Sequence, residues 1–142
     1  MYFPDLTHYV YGHTFPEPHI LNVGWLSKGH PYQQGLSPDW LVGRLRNRLA
    51  QPVNLYRGKH ACEFCPEPPK KMLPGGIETF DYPEETVGNG EIRVRALDGK
   101  IYVAPGLICH YIACHDYRPP QVFIEAVAAD LPQPILRGGV WR

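Results

Sequence analysis

Four cysteines fall in two tight groups, and this grouping is the strongest chemical signal in the chain. "CEFC" places Cys62 and Cys65 in a Cys-x-x-Cys pair, and "CHYIACH" holds Cys109, His110, Cys114 and His115. A Cys-x-x-Cys turn sets two thiolates on one side of a tetrahedral ion, and a structural Zn²⁺ site needs two further Cys or His ligands. The second group offers four. On a helix His110 and Cys114 share a face, being four residues apart. His110 and His115 are five apart, about 140° round a regular helix. They converge only if the helix ends near His115, which "HDYRPP" favours, because residues before proline leave the α region. The longer imidazole also spans the mismatch better than a thiol. The first choice of ligands is therefore Cys62, Cys65, His110 and His115, with Zn²⁺ as a structural cofactor. The second replaces His115 by Cys114. A third, Cys62, Cys65, Cys109 and Cys114, asks two short side chains on divergent faces to meet. His60 lies just outside the set, as a residue that could orient a ligand.

Other uses of the cysteines are weaker. A redox Cys-x-x-Cys lowers its thiol pKa by opening a helix, whereas here "CPEPP" follows and cannot start one well. Buried inert thiols account for single cysteines better than for two clusters. A catalytic zinc keeps a position open for water beside a general base. Cys62, Cys65 and His110 with Glu63 or Asp116 would supply the parts, but the His-x-Glu element of zinc deaminases and the His-Glu-x-x-His of metalloproteases are absent. No catalytic residue is assigned.

The segments "CEFC" and "HYIACH" resemble a Cys₂His₂ zinc-finger site. The resemblance implies a zinc-stapled ββα-like element in the C-terminal half, with the Cys pair displaced upstream of the hairpin and helix. It covers those two segments only. The 44 residues between the pairs far exceed the roughly 12 of DNA-reading fingers, so major-groove recognition is not carried over.

The elements that must position these ligands follow from periodicity. Residues 1–19 read as an extended arm rich in Tyr, His and Pro, and 20–142 as the core of one domain. Ile20–Leu26 and Val53–Tyr56 read as strands. "SPDWLVGRLRNRLAQP" reads as a helix with Ser37 as N-cap, Pro38 at its first position and Leu41, Leu45 and Leu49 on the apolar face. Residues 66–76 read as a proline-broken loop and 77–82 as an edge strand. Glu91–Leu97 and Lys100–Pro105 flank Asp98-Gly99, a strong hairpin signal. Two further helices are expected, around "GLICHYIACH" and after Pro120. The fold class is α+β: a small antiparallel sheet of four or five strands with two or three helices.

Composition bounds the function. Fourteen Lys plus Arg against fourteen Asp plus Glu give zero formal charge, which disfavours a dedicated nucleic-acid binder. Arg44, Arg48, Arg57 and Lys59 remain candidates for anion or partner contacts. His8, His13, His19 and His30 read as loop histidines. No apolar run is long enough to cross a membrane, no signal peptide is evident, and reduced thiols fit the cytoplasm. The expectation is a cytoplasmic zinc-binding protein that acts as a protein-interaction or accessory (immunity-type) module, its partner another protein. The alternatives are a zinc-dependent hydrolase or deaminase, and a nucleic-acid binder using the Arg-rich helix 38–50. The sequence leaves the oligomeric state open.

Overall fold

The structure is a computed structural model that describes residues 2–10, 17–50, 59–132, 136–137 and 140–141. Val53–Tyr56, Arg57 and His13 lie outside these residues. The fold is α+β. Its centre is a hairpin of β6 (Glu91–Arg95) and β7 (Ile101–Pro105), in register from Glu91 opposite Pro105 to Arg95 opposite Ile101. The Asp98-Gly99 turn forms as its sequence predicts. Gly99 takes φ +91, where a side chain would strain, and Asp98 Oδ1 accepts the Lys100 N–H at 3.0 Å.

β1 spans Ile20–Asn22, shorter than the expected Ile20–Leu26. It joins the other edge of β7 in parallel, Ile20 opposite Ile101, so the sheet is three-stranded and mixed, in the order β1-β7-β6. A parallel neighbour needs a long crossover, and the segment carrying α1 and the first cysteine pair supplies it. The free edge of β1 is covered by the arm. Leu6 N–H donates to the Asn22 carbonyl at 2.7 Å and Tyr9 N–H to the Ile20 carbonyl at 2.9 Å, which protects an edge open to pairing.

Alternation along the strands separates two apolar layers. Ile92, Val94, Tyr102 and Ala104 face the helices, where they meet Leu41, Leu45, Ile108, Phe123 and Val127. On the reverse face Ile20, Ile101 and Val103 pack with Tyr9 and Trp25. Tyr9 keeps its hydroxyl satisfied by donating to Glu91 Oε1 at 2.9 Å, and Trp25 Nε1 donates to the Val103 carbonyl.

Among the described residues the α-helices are α1 (Leu41–Leu49), α2 (Ile108–Cys114) and α3 (Gln121–Ala129). Two details depart from the sequence expectation for α1. Regular helix starts at Leu41 with Trp40 as N-cap and no side-chain cap, because the chain first makes a turn in which Leu41 N–H donates to the Pro38 carbonyl. Ser37 is thus too far upstream to cap it. Pro120 precedes α3 as expected, and Asp130 closes it in the left-handed conformation.

Residues 66–76 are not all loop. β3 (Lys70–Leu73) pairs antiparallel with β4 (Ile77–Phe80). Only the first part of the segment is proline-rich, and Pro74-Gly75-Gly76 makes a tight turn with both glycines at positive φ. β2 (Lys59–Ala61) pairs with β5 (Val87–Asn89), and β8 (Leu136–Arg137) with β9 (Val140–Trp141). Among the described residues the strands therefore form one mixed sheet and three separate two-stranded ladders, where a single antiparallel sheet was expected. No helix among the described residues is long and apolar enough to cross a membrane.

Candidate metal centre

The first half of the site hangs from the β2–β5 ladder. Cys62 directly follows β2, and its N–H donates to the Thr86 carbonyl at 2.8 Å, which extends the pairing by one rung. The chain then turns at Glu63-Phe64 and brings Cys65 back toward Cys62. Both turn residues are anchored. Glu63 Oε2 accepts the Ser27 hydroxyl at 2.7 Å. The Phe64 ring sits between Tyr32, Tyr111 and His115, with centroids 5.4, 5.9 and 5.5 Å away.

The second half is α2 and its end. His110 lies in the helix and is buried. His115 is the C-cap, with φ −127 and ψ 19, and Asp116 follows at φ +55. The helical path therefore stops at His115, as "HDYRPP" predicts, and this frees its side chain from the 140° offset. The stop is held from outside: Tyr32 Oη donates to the His115 carbonyl at 2.8 Å, and Gly35 N–H to the Asp116 carbonyl at 3.0 Å.

The two halves meet. One donor atom from each of Cys62, Cys65, His110 and His115 lies within 4.8 Å of all the others, a grouping that could hold a metal ion. The contacts between them are Cys62 Sγ to His115 Nε2 at 3.4 Å, Cys65 Sγ to His110 Nε2 at 3.2 Å, Cys65 Sγ to His115 Nε2 at 3.5 Å, and the two Nε2 atoms at 3.2 Å. Among the described residues this is the only such group of three or more.

The protein by itself disfavours the charged forms of Cys65 and His110. Burial, then the adjacent Cys62, pushes the Cys65 thiol up to about 11, with Cys114 and Glu85 adding to the shift. Burial, then the neighbouring His115, holds His110 below the usual imidazole value, against an opposing pull from Glu85. The two sulfurs and two ring nitrogens converge on one spot. A cation there reverses the balance, because thiolate then becomes the preferred form.

The remaining candidates lie elsewhere. Cys109 faces α1, where its thiol approaches the Val42 carbonyl at 3.9 Å, and burial pushes it up to about 11. Cys114 is exposed, and neither cysteine joins the group. His60 is exposed on β2, opposite Gly88, and Lys59 is exposed beside it. Arg44 and Arg48 turn toward α3: Arg44 Nη1 donates to the Ala128 carbonyl at 3.0 Å, and Arg48 Nη2 to the Leu131 carbonyl at 2.8 Å. There they meet the negative end of the α3 dipole. Sequence reasoning missed Phe64, Tyr32 and Glu85. Phe64 was legible as the large apolar residue inside the Cys-x-x-Cys turn, whereas nothing in the spacing of Tyr32 or Glu85 links them to the cluster.

Residues 1–128 match a family described as Domain of unknown function (DUF7919), and the chain belongs to that family. The matched span takes in the arm, both halves of the cluster and α3 as far as Ala128. A search of curated proteins and of solved structures finds no match.

Proposed function

We propose that this member of the family holds one structural Zn²⁺ on Cys62, Cys65, His110 and His115, and that the clamped domain works as a protein-interaction module in the cytoplasm. One observation carries the reading: the spacing of the four donors. Zinc–sulfur bonds of about 2.3 Å and zinc–nitrogen bonds of about 2.0–2.1 Å at the tetrahedral angle give edges of about 3.6 Å for S···N and about 3.3 Å for N···N. Three of the four S···N edges are 3.4, 3.2 and 3.5 Å, the N···N edge is 3.2 Å, and every edge is within 4.8 Å. Mixed thiolate and imidazole donors in this geometry suit zinc over the oxygen-seeking cations.

Four protein donors fill a tetrahedral sphere, which supports a structural role for the ion. Its mechanical effect follows from the connectivity. The ion would tie the knuckle after β2 to the end of α2, two segments separated by 44 residues of chain. Four free cysteines suit a reducing compartment. The chain's zero net charge, with Arg44 and Arg48 engaged on backbone carbonyls, supports a protein partner over nucleic acid. Exposed apolar side chains on the β3–β4 hairpin, Met72 and Ile77 among them, suit such a partner.

The test is the metal content of the purified chain. One zinc per chain is expected, falling to near zero in Cys62→Ser and His110→Ala and unchanged in Cys114→Ser. A zinc-free chain that folds and stays folded in a strong chelator would refute the reading.

A further inference from the structure

Two cavities flank the knuckle and share one carboxylate. The larger, about 550 Å³, lies between the knuckle and the β3–β4 hairpin. Pro66, Pro68, Pro69 and Pro83 form its walls together with Phe80 and Tyr82. The two rings lie 5.9 Å apart and are inclined at 57°, so they pack on each other and form one continuous aromatic wall. The smaller cavity, about 230 Å³, lies on the other side of the knuckle, with Trp25, Leu107 and Tyr111 as apolar wall and His60 at its margin. Ala61 and Glu63 line both, so the two form one surface interrupted by the Glu63 side chain.

The charged residues that line this surface are carboxylates, with the Lys70 ammonium at its edge over the Phe80 ring. Glu63 and Glu67 line it, and among the described lining residues there is no Lys or Arg. The proposed zinc with two thiolates and two neutral imidazoles adds no net charge. Glu63 uses one oxygen, Oε2, on Ser27, which leaves the other to receive a cation. The Phe80 ring already takes one: the Lys70 ammonium lies 5.9 Å from its centroid, in the range of a cation–π contact.

Aromatic-lined grooves bind polyproline II segments, which are already extended and lose little entropy on docking. We propose that this surface docks a basic, proline-rich segment of a partner protein, its prolines against the wall formed by Phe80 and Tyr82 and an Arg or Lys on Glu63. This inference rests on the interaction reading above and names the chemistry of its partner.

The test titrates the purified full chain with labelled peptides of Pro-Pro-Arg repeats, of Pro-Pro-Glu repeats, and of lysine and glycine without proline. Zinc content is measured on the same sample. Saturable binding of the Pro-Pro-Arg peptide is expected, weakened at least about tenfold in Tyr82→Ala and in Glu63→Gln. Leu97→Ala, at the exposed β6–β7 turn, should bind as the parent does. Tyr82 is half-exposed, so its truncation leaves the fold intact, and an unchanged amide spectrum checks this. Equal binding of the proline-free peptide would overturn the proposal, as would undiminished binding by both groove variants. No binding by a folded chain with one zinc would overturn the docking surface alone. No zinc in the sample would instead overturn the metal reading.

Discussion

His110 and His115 are five residues apart, yet their Nε2 atoms lie 3.2 Å from each other. That approach exists because α2 ends at Cys114 and His115 leaves the helical path. Replacing His115 by Ala should therefore abolish tight zinc binding, while Cys114→Ser, one residue away and exposed, should keep it. Competition with a chromogenic chelator measures both, and the reverse pattern, loss in Cys114→Ser and retention in His115→Ala, would place the fourth ligand at Cys114.

The ion should carry a large part of the stability. Structural zinc in small domains contributes on the order of 10 kcal/mol of apparent free energy. Chelation, or Cys65→Ser, should lower the melting temperature sharply and expose apolar surface. Thermal scans with and without chelator check this, and an unchanged midpoint would show that the core holds itself.

Acid should destabilise the domain. Burial and His115 hold His110 below the usual value of 6.5 in the folded chain. The unfolded chain binds the proton more readily, so stability is full above about 6.5 and declines as pH falls from there toward the folded value. Protons also compete with the metal for the same nitrogen, with the same sign. Denaturant midpoints at about pH 7.5 and about pH 5.5 should show the loss; a higher midpoint in acid would contradict it.

Two glycines hold the ladder beneath the knuckle against the start of α2. A Cβ on Gly106 would stand 2.8 Å from the Asn89 carbonyl oxygen, and one on Gly88 would stand 2.7 Å from the Leu107 nitrogen. Both obstacles are backbone and cannot rotate away. Gly106→Ala and Gly88→Ala should each cost about 1–3 kcal/mol. Gly43→Ala in α1, where nothing lies within 4 Å, should instead stabilise by about 0.5–1 kcal/mol. Equilibrium denaturation separates the two directions.

The arm should be energetically coupled to the end of α2. Asp5 accepts the Tyr117 hydroxyl at 2.9 Å and the Gly24 N–H at 2.9 Å. Asp5→Ala leaves both donors unpaired and should cost about 1–3 kcal/mol. The double variant with Tyr117→Phe should cost less than the sum of the two single changes, and a double-mutant cycle reads the difference.

The sequence made the cluster legible because metal ligation is written in residue type and spacing. The same holds for the Asp98-Gly99 hairpin, and for α3 after Pro120. The arrangement of strands was less legible. Nothing local states that Ile20 pairs in parallel with Ile101, since the partner lies far along the chain and parallel pairing leaves no turn signature. Lys70–Leu73 was hidden because the prolines of 66–69 dominate a window that also contains four strand-competent residues. Arg44 and Arg48 read as candidates for anion or partner contacts, and only the arrival of α3 beside α1 gives their donors the carbonyls of Ala128 and Leu131.

The most direct measurement is X-ray absorption at the zinc edge on the purified chain. The account predicts one zinc with two sulfur neighbours at about 2.3 Å and two imidazole nitrogens at about 2.0–2.1 Å. A shell with three sulfurs, or with a water oxygen in place of an imidazole, would contradict the assignment of Cys62, Cys65, His110 and His115 as a closed structural site.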